Sequence, residues 1–202
     1  MKLLIVNTIL DVFKDENIAH ISVRSIANKI NYSPATIYLY FKNKNEILSA
    51  VRQRGFWMLM SGIKSKMERT ENTLEKLYLH GETYLDFALE NPQIYELMFI
   101  KNISDSQVDF LSGKNYQEDY HYFIKNVVYE CFQQNIIEFS QIETIVSSWH
   151  SFLHGYTSLR IRNRVCYPNN TIQNENIDRQ MVSTFFELLK QTYFQDALMF
   201  NE

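Results

Sequence analysis

The chain has little glycine, proline or cysteine: its 202 residues include 5 Gly, 3 Pro and 2 Cys. Helix-breaking residues are few and apolar residues recur at i, i+3 and i+4 almost throughout, a pattern that favours helices over strands. Cys131 and Cys166 form neither a CxxC motif nor a disulfide framework, so we expect two free thiols in a reducing compartment. The pattern predicts an all-α protein of about nine helices.

Long apolar runs and catalytic signatures are also missing. No stretch reaches the roughly 18 consecutive apolar residues of a membrane span. The apolar run Leu3–Val6 is too short for a signal peptide and lacks its cleavage site. The patterns HExxH, GxSxG, GxGxxG and the P-loop do not occur. We expect a cytoplasmic protein that has no membrane partner and is not an enzyme.

Charge is distributed unevenly along the chain. The net charge is −3, yet residues 1–54 hold eight Lys and Arg against four Asp and Glu, and the remainder holds twelve against nineteen. A basic end on an acidic body permits local contact with phosphates without general attraction to nucleic acid. The N-terminal segment is therefore the candidate for nucleic-acid binding.

Capping residues and helical periodicity define the predicted helices. Asn43 and Glu46 have the spacing of a capping box at the start of a long fourth helix. The helices are predicted over residues 3–14, 22–30, 33–41, 43–69, 72–90, 92–101, 115–135, 140–163 and 176–199.

The helices predicted at 22–30 and 33–41 have the dimensions of a helix-turn-helix motif. Ser22 and Ser33 are favourable N-cap residues, and Pro34 stands at a first helical position, where its missing N–H costs nothing. Asn31 tolerates the left-handed conformation that the intervening turn requires. The second helix of such a motif enters the major groove of DNA.

The composition of this second helix supports an exposed binding surface. Ile37 and Phe41, four residues apart, supply the buried side, which leaves Thr36, Tyr38 and Tyr40 on the other. Tyrosine and threonine hydroxyls bond to phosphate oxygens. A small apolar group such as the Ala35 methyl can meet a thymine methyl.

Basic residues flank the motif. Lys44 lies in the first turn of helix four, where a cation opposes the helix dipole unless a phosphate binds beside it. Lys42 lies close by in sequence, and Arg24 projects from the start of helix two. These side chains and the free N–H groups of the helix end describe an anion site.

The run Ile21–Leu48 closely resembles the DNA-binding domain of the TetR family, and the resemblance spans most of residues 5–51. Asn17 and Asn31 stand where the family prefers glycine, and Tyr40 stands where histidine is common. The resemblance implies a regulator that contacts double-stranded operator DNA. The candidate DNA-binding residues are Arg24, Ser33, Pro34, Ala35, Thr36, Tyr38, Tyr40, Lys42 and Lys44.

Two later stretches, Asn91–Phe99 and Trp149–Gly155, resemble the WHG-type C-terminal domain found in one subclass of the family. That resemblance implies a homodimer in which the last two long helices of each subunit form a four-helix interface. A broad apolar circumference on helices eight and nine agrees with it. The candidate interface residues are Phe152, Gly155, Tyr156, Leu159, Phe185, Leu188 and Leu189.

Aromatic residues are concentrated after residue 45, where 24 of the 29 occur. They suit an apolar pocket for a small effector, and they equally suit a plain core. The candidate pocket residues are Tyr84, Phe87, Tyr95, Phe99, Tyr122, Trp149 and His150. His150, His154 and Glu143 have the spacing of three metal ligands, but a structural role for the histidines is favoured, and we expect no metal or cofactor.

Together these patterns predict a helix-turn-helix DNA-binding domain at 1–45, joined by a long helix to a ligand-binding and dimerisation domain at 46–202. The predicted function is that of a homodimeric repressor on a near-palindromic operator, released by a largely apolar or aromatic effector. A helical adaptor, or a small-molecule-binding protein without operator specificity, remains the alternative.

Overall fold

The computed structural model describes residues 1–15, 22–101, 109, 112–165 and 175–194. Within these residues the regular structure is helical, which confirms the predicted all-α class. A 3-10 turn, Phe139–Gln141, precedes α8. The α-helices are α1 Lys2–Asp15, α2 Val23–Lys29, α3 Pro34–Tyr38, α4 Lys44–Met67, α5 Thr73–Glu90, α6 Pro92–Phe99, α7 Tyr116–Gln133, α8 Ile142–Ile161 and α9 Glu175–Tyr193.

The sequence-based helices correspond to these nine, with ends that differ by a few residues. Asn17, Cys166 and the predicted end of helix nine near residue 199 lie outside the described residues. Across the helices that are described, none is long and apolar enough to cross a membrane.

The chain forms two compact units. Unit 1 comprises Met1–Met60 and Glu90–Tyr120, and unit 2 comprises Ser61–Leu89 and His121–Glu202. Helix α4 begins in unit 1 and ends in unit 2. Unit 1 therefore contains the predicted N-terminal domain together with α6, and the division at residue 45 stays a prediction.

In unit 1, α1 contacts both α2 and α6, and α2 contacts α3. Apolar side chains at helical spacing on each of these helices are removed from water, which is the main favourable contribution to folding. An aromatic group of α4, α6 and α7 continues this core: Phe56 meets Phe99 edge-on at 5.2 Å. The buried residues of unit 1 include Ile5, Ile9, Ile26, Ile37, Phe41, Ile47, Val51, Phe56, Tyr95 and Tyr120.

In unit 2, the core surrounds Trp149 of α8, which is fully buried. Gly81 of α5 lies against it so closely that an added Cβ would come within 2.8 Å of the Trp149 Cη2 atom. Helices α8 and α9 are joined by a buried polar contact, in which the Tyr156 hydroxyl donates to Asp178 at 2.5 Å and Arg160 Nε donates to it at 2.9 Å. These contacts fix α5, α8 and α9 relative to one another within the unit.

Candidate nucleic-acid interface

Local hydrogen bonds fix the two helices of the predicted motif. Ser22 and Ser25 form a reciprocal capping box at the start of α2. The Ser33 hydroxyl accepts a hydrogen bond from the Thr36 N–H at 3.2 Å at the start of α3. Asn31, in the turn between them, has φ of 57°, which confirms the predicted left-handed conformation.

Helix α3 ends at Tyr38, three residues earlier than the sequence predicts. The Ile37 carbonyl accepts from both the Tyr40 N–H at 3.0 Å and the Phe41 N–H at 3.1 Å. This sharing tightens the chain into a turn that ends the α-helix while keeping Ile37 and Phe41 buried. The shorter helix turns three successive large side chains outward.

Those side chains form what we call the α3 face, made of Ala35, Thr36, Tyr38, Leu39 and Tyr40. Tyr38 is 54% exposed and Leu39 is 80% exposed, while Tyr40 is exposed and Thr36 half-buried. The Thr36 hydroxyl lies 3.0 Å from the Ser33 hydroxyl. The face thus presents two phenol groups, one hydroxyl and two apolar groups.

Leu39 is the residue that sequence reasoning missed on this face. An aliphatic side chain that is 80% exposed gains nothing from burial within its own chain. The signal was the run Tyr38, Leu39 and Tyr40, because three consecutive large residues after a short helix cannot all face one core.

The other candidate DNA-binding residues differ in their exposure and in their place along the helices. Pro34 is half-buried and Ser33 caps α3, so both shape the start of that helix. Arg24 is exposed near the start of α2, and Lys42 is exposed just before α4. These two cations lie at the surface of unit 1, where a phosphate can reach them.

At the start of α4, side-chain oxygens of this chain accept hydrogen bonds from two backbone N–H groups of the predicted anion site. The Asn43 side chain accepts from the Glu46 N–H at 2.9 Å, and the Glu46 carboxylate accepts from the Lys42 N–H at 2.6 Å. The hydrogen bond to Asn43 confirms its predicted capping role. In a capping box the Glu46 carboxylate would accept from the Asn43 N–H, but here it accepts from the Lys42 N–H instead. Lys44, the first residue of α4, is half-buried, and its role in phosphate contact stays a prediction.

A histidine and aromatic cluster lies in unit 2. The Trp149 indole N–H donates to His80 Nδ1 at 3.1 Å, and the Tyr84 hydroxyl lies 3.5 Å from His154 Nδ1. The Tyr84 ring meets the His150 ring edge-on at 6.0 Å. We call His80, Tyr84, Trp149, His150 and His154 the histidine–aromatic cluster.

Burial keeps this cluster neutral at pH 7. Burial, followed by the neighbouring His150, lowers the pKa of His80 to about 3. Burial, followed by the nearby His154 and His121, lowers the pKa of His150 to about 4. The pKa of His154 is lowered by burial as well. A neutral imidazole carries one donor and one acceptor, and the His80 acceptor receives the Trp149 indole N–H.

The predicted pocket residues divide between the two units. Tyr84, Trp149 and His150 belong to the cluster, and Phe87 is buried in the same unit on α5. Tyr95 and Phe99 lie in unit 1 with ring centroids 5.0 Å apart. Tyr122 is 62% exposed on α7. The structure thus brings three of the seven predicted residues, Tyr84, Trp149 and His150, together with His80. The sequence analysis did not include His80.

Among the described residues, the histidines of α8 belong to no group of metal ligands. In the part of the chain that the structure describes, no three His, Cys, Asp or Glu side chains are grouped to hold an ion. Glu143 instead pairs with Lys125, which lowers the pKa of the Glu143 carboxyl. The His150 and His154 rings stack with centroids 6.3 Å apart.

Apolar side chains of α8 and α9 form an outward surface, the α8–α9 face. Phe152 and Phe185 stack in parallel at 4.0 Å, and Leu159 and Leu188 are 49% and 54% exposed. An added Cβ on Gly155 would meet no atom of the described residues within 4 Å. The face consists of Phe152, Gly155, Leu159, Met181, Phe185 and Leu188.

Two predicted interface residues lie beneath this face. Tyr156 is buried and donates its hydroxyl hydrogen to Asp178 at 2.5 Å, and Leu189 is buried in the core of unit 2. Their burial within the chain holds the α8–α9 face in place.

Comparison with known proteins agrees with the α2–α3 geometry. Residues 5–51 match the model of the bacterial regulatory proteins of the tetR family. A helix-turn-helix transcriptional regulator of Haemophilus influenzae is 33% identical over 79 residues, which are 39% of this chain and 42% of that one. The transcriptional activator FasR of Mycolicibacterium smegmatis is 29% identical over 89 residues, 44% of this chain and 41% of that one. The match thus spans about two fifths of the length of these relatives.

Solved structures match the fold over nearly the whole chain. A Rhodococcus sp. RHA1 protein of unknown function has a TM-score of 0.77 at 14% identity, covering 96% of this chain and 95% of that one. The fatty acid degradation regulator FadR of Bacillus halodurans has a TM-score of 0.70 at 15% identity, covering 95% and 99%. The fold and the N-terminal motif together give a helix-turn-helix segment followed by a helical C-terminal part. Residues 5–51 thus match the tetR family of bacterial regulatory proteins, and the chain shares its fold with these solved structures.

Proposed function

We propose that this protein is a cytoplasmic, homodimeric transcriptional repressor that binds a near-palindromic operator and releases it when a small effector binds. The observation that carries the proposal is the α3 face. Three large exposed side chains precede Lys44 in the sequence, in the segment that matches the family model. A five-residue helix with so much exposed side chain needs a partner surface.

The chemistry of the α3 face suits the edges and backbone of DNA. The hydroxyls of Tyr38 and Tyr40 donate to phosphate oxygens, and Lys44 adds a charge that a phosphate at the start of α4 would neutralise. Leu39 and Ala35 offer apolar contact to thymine methyl groups in the major groove. Phosphate contacts position the helix, while the apolar contacts contribute to sequence preference.

The proposed dimer uses the α8–α9 face. It combines an exposed apolar surface with an exposed glycine that would let a second backbone approach closely. A two-fold dimer repeats the same contact on both subunits and presents two copies of α3 to the DNA. Half-sites about 10 bp apart, or a multiple of that, follow from this symmetry.

The proposed effector site is the histidine–aromatic cluster of unit 2. Neutral histidines and a tyrosine hydroxyl supply polar contacts among aromatic rings, as expected for a largely apolar ligand with one hydrogen-bonding group. Release of DNA requires only that the effector prefer the non-binding state by a few kcal/mol.

Binding to the DNA upstream of the protein's own coding region tests operator recognition. We expect tight binding that weakens steeply with salt and is lost, by at least about a hundredfold, when Tyr38 and Lys44 are both replaced by Ala. The matched control replaces Tyr129 and Lys114, another exposed tyrosine and lysine, and should bind like wild type. Equal loss in both double variants would argue for the adaptor alternative. Because one relative is named a transcriptional activator, a reporter gene is used to test whether the protein represses or activates transcription.

Sedimentation tests the proposed dimer independently of DNA. We expect Gly155→Arg to weaken dimerisation by at least about a hundredfold, because the new side chain projects from the α8–α9 face without meeting its own chain. Ser147→Arg, at an exposed position on another side of α8, should leave the dimer intact. A Gly155→Arg protein that stays dimeric would place the interface elsewhere.

A further inference from the structure

Unit 1 contains a cleft whose lining includes no residue of the α3 face. Its volume is about 370 Å³, within the range of small-molecule sites. Helices α1 and α4 line it, together with the start of α6. The lining residues are Asn7, Leu10, Asp11, Arg54, Trp57, Met58, Asn91 and Ile94.

Arg54 is the polar centre of this cleft. Its guanidinium carbon lies 3.6 Å from the centroid of the Trp57 ring, so one face of the group is held against an aromatic surface. The Arg54 Nε atom is buried and has no hydrogen-bond partner among the described residues. A guanidinium fixed by stacking, with a donor unused, is preorganised to bind a carboxylate.

The rest of the cleft is suited to an apolar body. Leu10, Met58 and Ile94 contribute apolar walls from three different helices. Asp11 contributes an acid to the lining, so a bound anion would have to sit at the Arg54 side of the cleft.

The wall that α6 contributes is held close to α4. An added Cβ on Gly55 would come within 2.8 Å of Ile94 and 2.7 Å of Met98. The absence of a side chain at residue 55 therefore lets α6 approach α4 directly. A ligand in the cleft would meet a packed wall rather than a loose one.

We propose that this cleft binds a small amphiphilic carboxylate. The carboxylate accepts hydrogen bonds from the Arg54 guanidinium, and the apolar part lies against Leu10, Met58 and Ile94. The site lies wholly in unit 1 and is separate from the effector site proposed in unit 2. It is independent of whether the protein represses transcription.

The chain's two tryptophans make the test specific, because Trp57 lies in unit 1 and Trp149 in unit 2. The probe is 3-phenylpropionate, with its neutral amide as the matched control. The two indole N–H resonances of ¹⁵N-labelled full-length protein are followed by NMR, and Trp57→Phe assigns them. We expect the carboxylate to shift the Trp57 resonance saturably at submillimolar concentration and to leave the Trp149 resonance in place. The amide should bind at least about tenfold more weakly.

Three variants test the role of Arg54. Arg54→Gln should weaken carboxylate binding by about tenfold or more. The matched control is Arg52→Gln, because Arg52 is another half-buried arginine of α4 with a buried Nε, but it bonds to Gln117 and does not line the cleft. That variant should bind like wild type. Asp11→Asn should tighten binding about twofold to threefold by removing a like charge.

Several outcomes would overturn the proposal. A shift of Trp149 without Trp57 would place carboxylate binding in unit 2. Equal affinity for the acid and the amide, or equal losses in Arg52→Gln and Arg54→Gln, would remove the assigned role of the guanidinium. No shift of Trp57 at millimolar probe would refute the site. Circular dichroism melting of each variant separates loss of binding from loss of folding.

Discussion

Acidification should destabilise this protein through His80. The side chain is fully buried on α5 and accepts the indole hydrogen of Trp149 at 3.1 Å. Its pKa is lowered to about 3 by burial and then by the nearby His150. The native state therefore keeps His80 neutral in a pH range where the unfolded chain takes up a proton.

The size of the effect follows from proton linkage. An unfolded histidine has a pKa of about 6.5, so stability is greatest above that pH and falls as the pH drops from there towards the folded pKa of about 3. Between pH 7 and pH 5 the unfolded state gains most of one proton, which lowers the free energy of unfolding by about 2 kcal/mol. His150, with a pKa lowered to about 4, adds a loss of the same sign.

Urea unfolding at pH 7 and pH 5, at one fixed protein concentration, measures this loss. His80→Asn keeps an acceptor for the indole N–H but cannot titrate, so we expect it to lose about 2 kcal/mol less than wild type over the same pH change. If wild type and His80→Asn lost the same stability, His80 would not be held neutral by burial.

Three further predictions concern stability, each measured by thermal or urea unfolding. Gly81→Ala should lower the free energy of unfolding by about 1–3 kcal/mol, because the new methyl group collides with Trp149. The control Gly62→Ala, whose added Cβ lies 3.5 Å from Thr83, should raise it by about 0.5–1 kcal/mol. Equal effects of the two substitutions would contradict the close packing at residue 81. Asp178→Ala removes the buried acceptor of the Tyr156 and Arg160 hydrogen bonds and should lower the free energy of unfolding by roughly 3–5 kcal/mol. An unchanged stability would show that this contact between α8 and α9 is dispensable. Asn31→Ala should cost about 1 kcal/mol at φ 57° while Asn31→Gly does not, and the reverse order would exclude a left-handed turn.

The helix-turn-helix was predictable because its determinants are local. Ser22, Ser33 and Asn43 cap helices through hydrogen bonds to residues three positions ahead, and Asn31 bends the chain between them. Each of these effects acts within one turn of helix, so the sequence is enough to place them. The end of α3 was less predictable, since the tightening at Ile37 depends on how Phe41 reaches the core.

The histidine–aromatic cluster was harder to predict because its members come from distant parts of the chain. His80 and Trp149 are 69 residues apart, and their contact depends on how α5 and α8 pack. On α7, Tyr120 is buried and Tyr122 is exposed, although the two aromatic residues look equivalent in a sequence. Helical periodicity identifies an apolar side, but the partner of that side is a tertiary property.

We propose that two copies of the α3 face recognise a specific, symmetric DNA sequence. Selection from random double-stranded DNA with the full-length protein tests this recognition without knowledge of the natural operator. We expect enrichment of an inverted repeat whose half-sites lie about 10 bp apart or a multiple of that, and no enrichment by the variant in which Tyr38 and Lys44 are both Ala. Recovery of no common sequence by the wild-type protein, or of the same sequence by that variant, would contradict it.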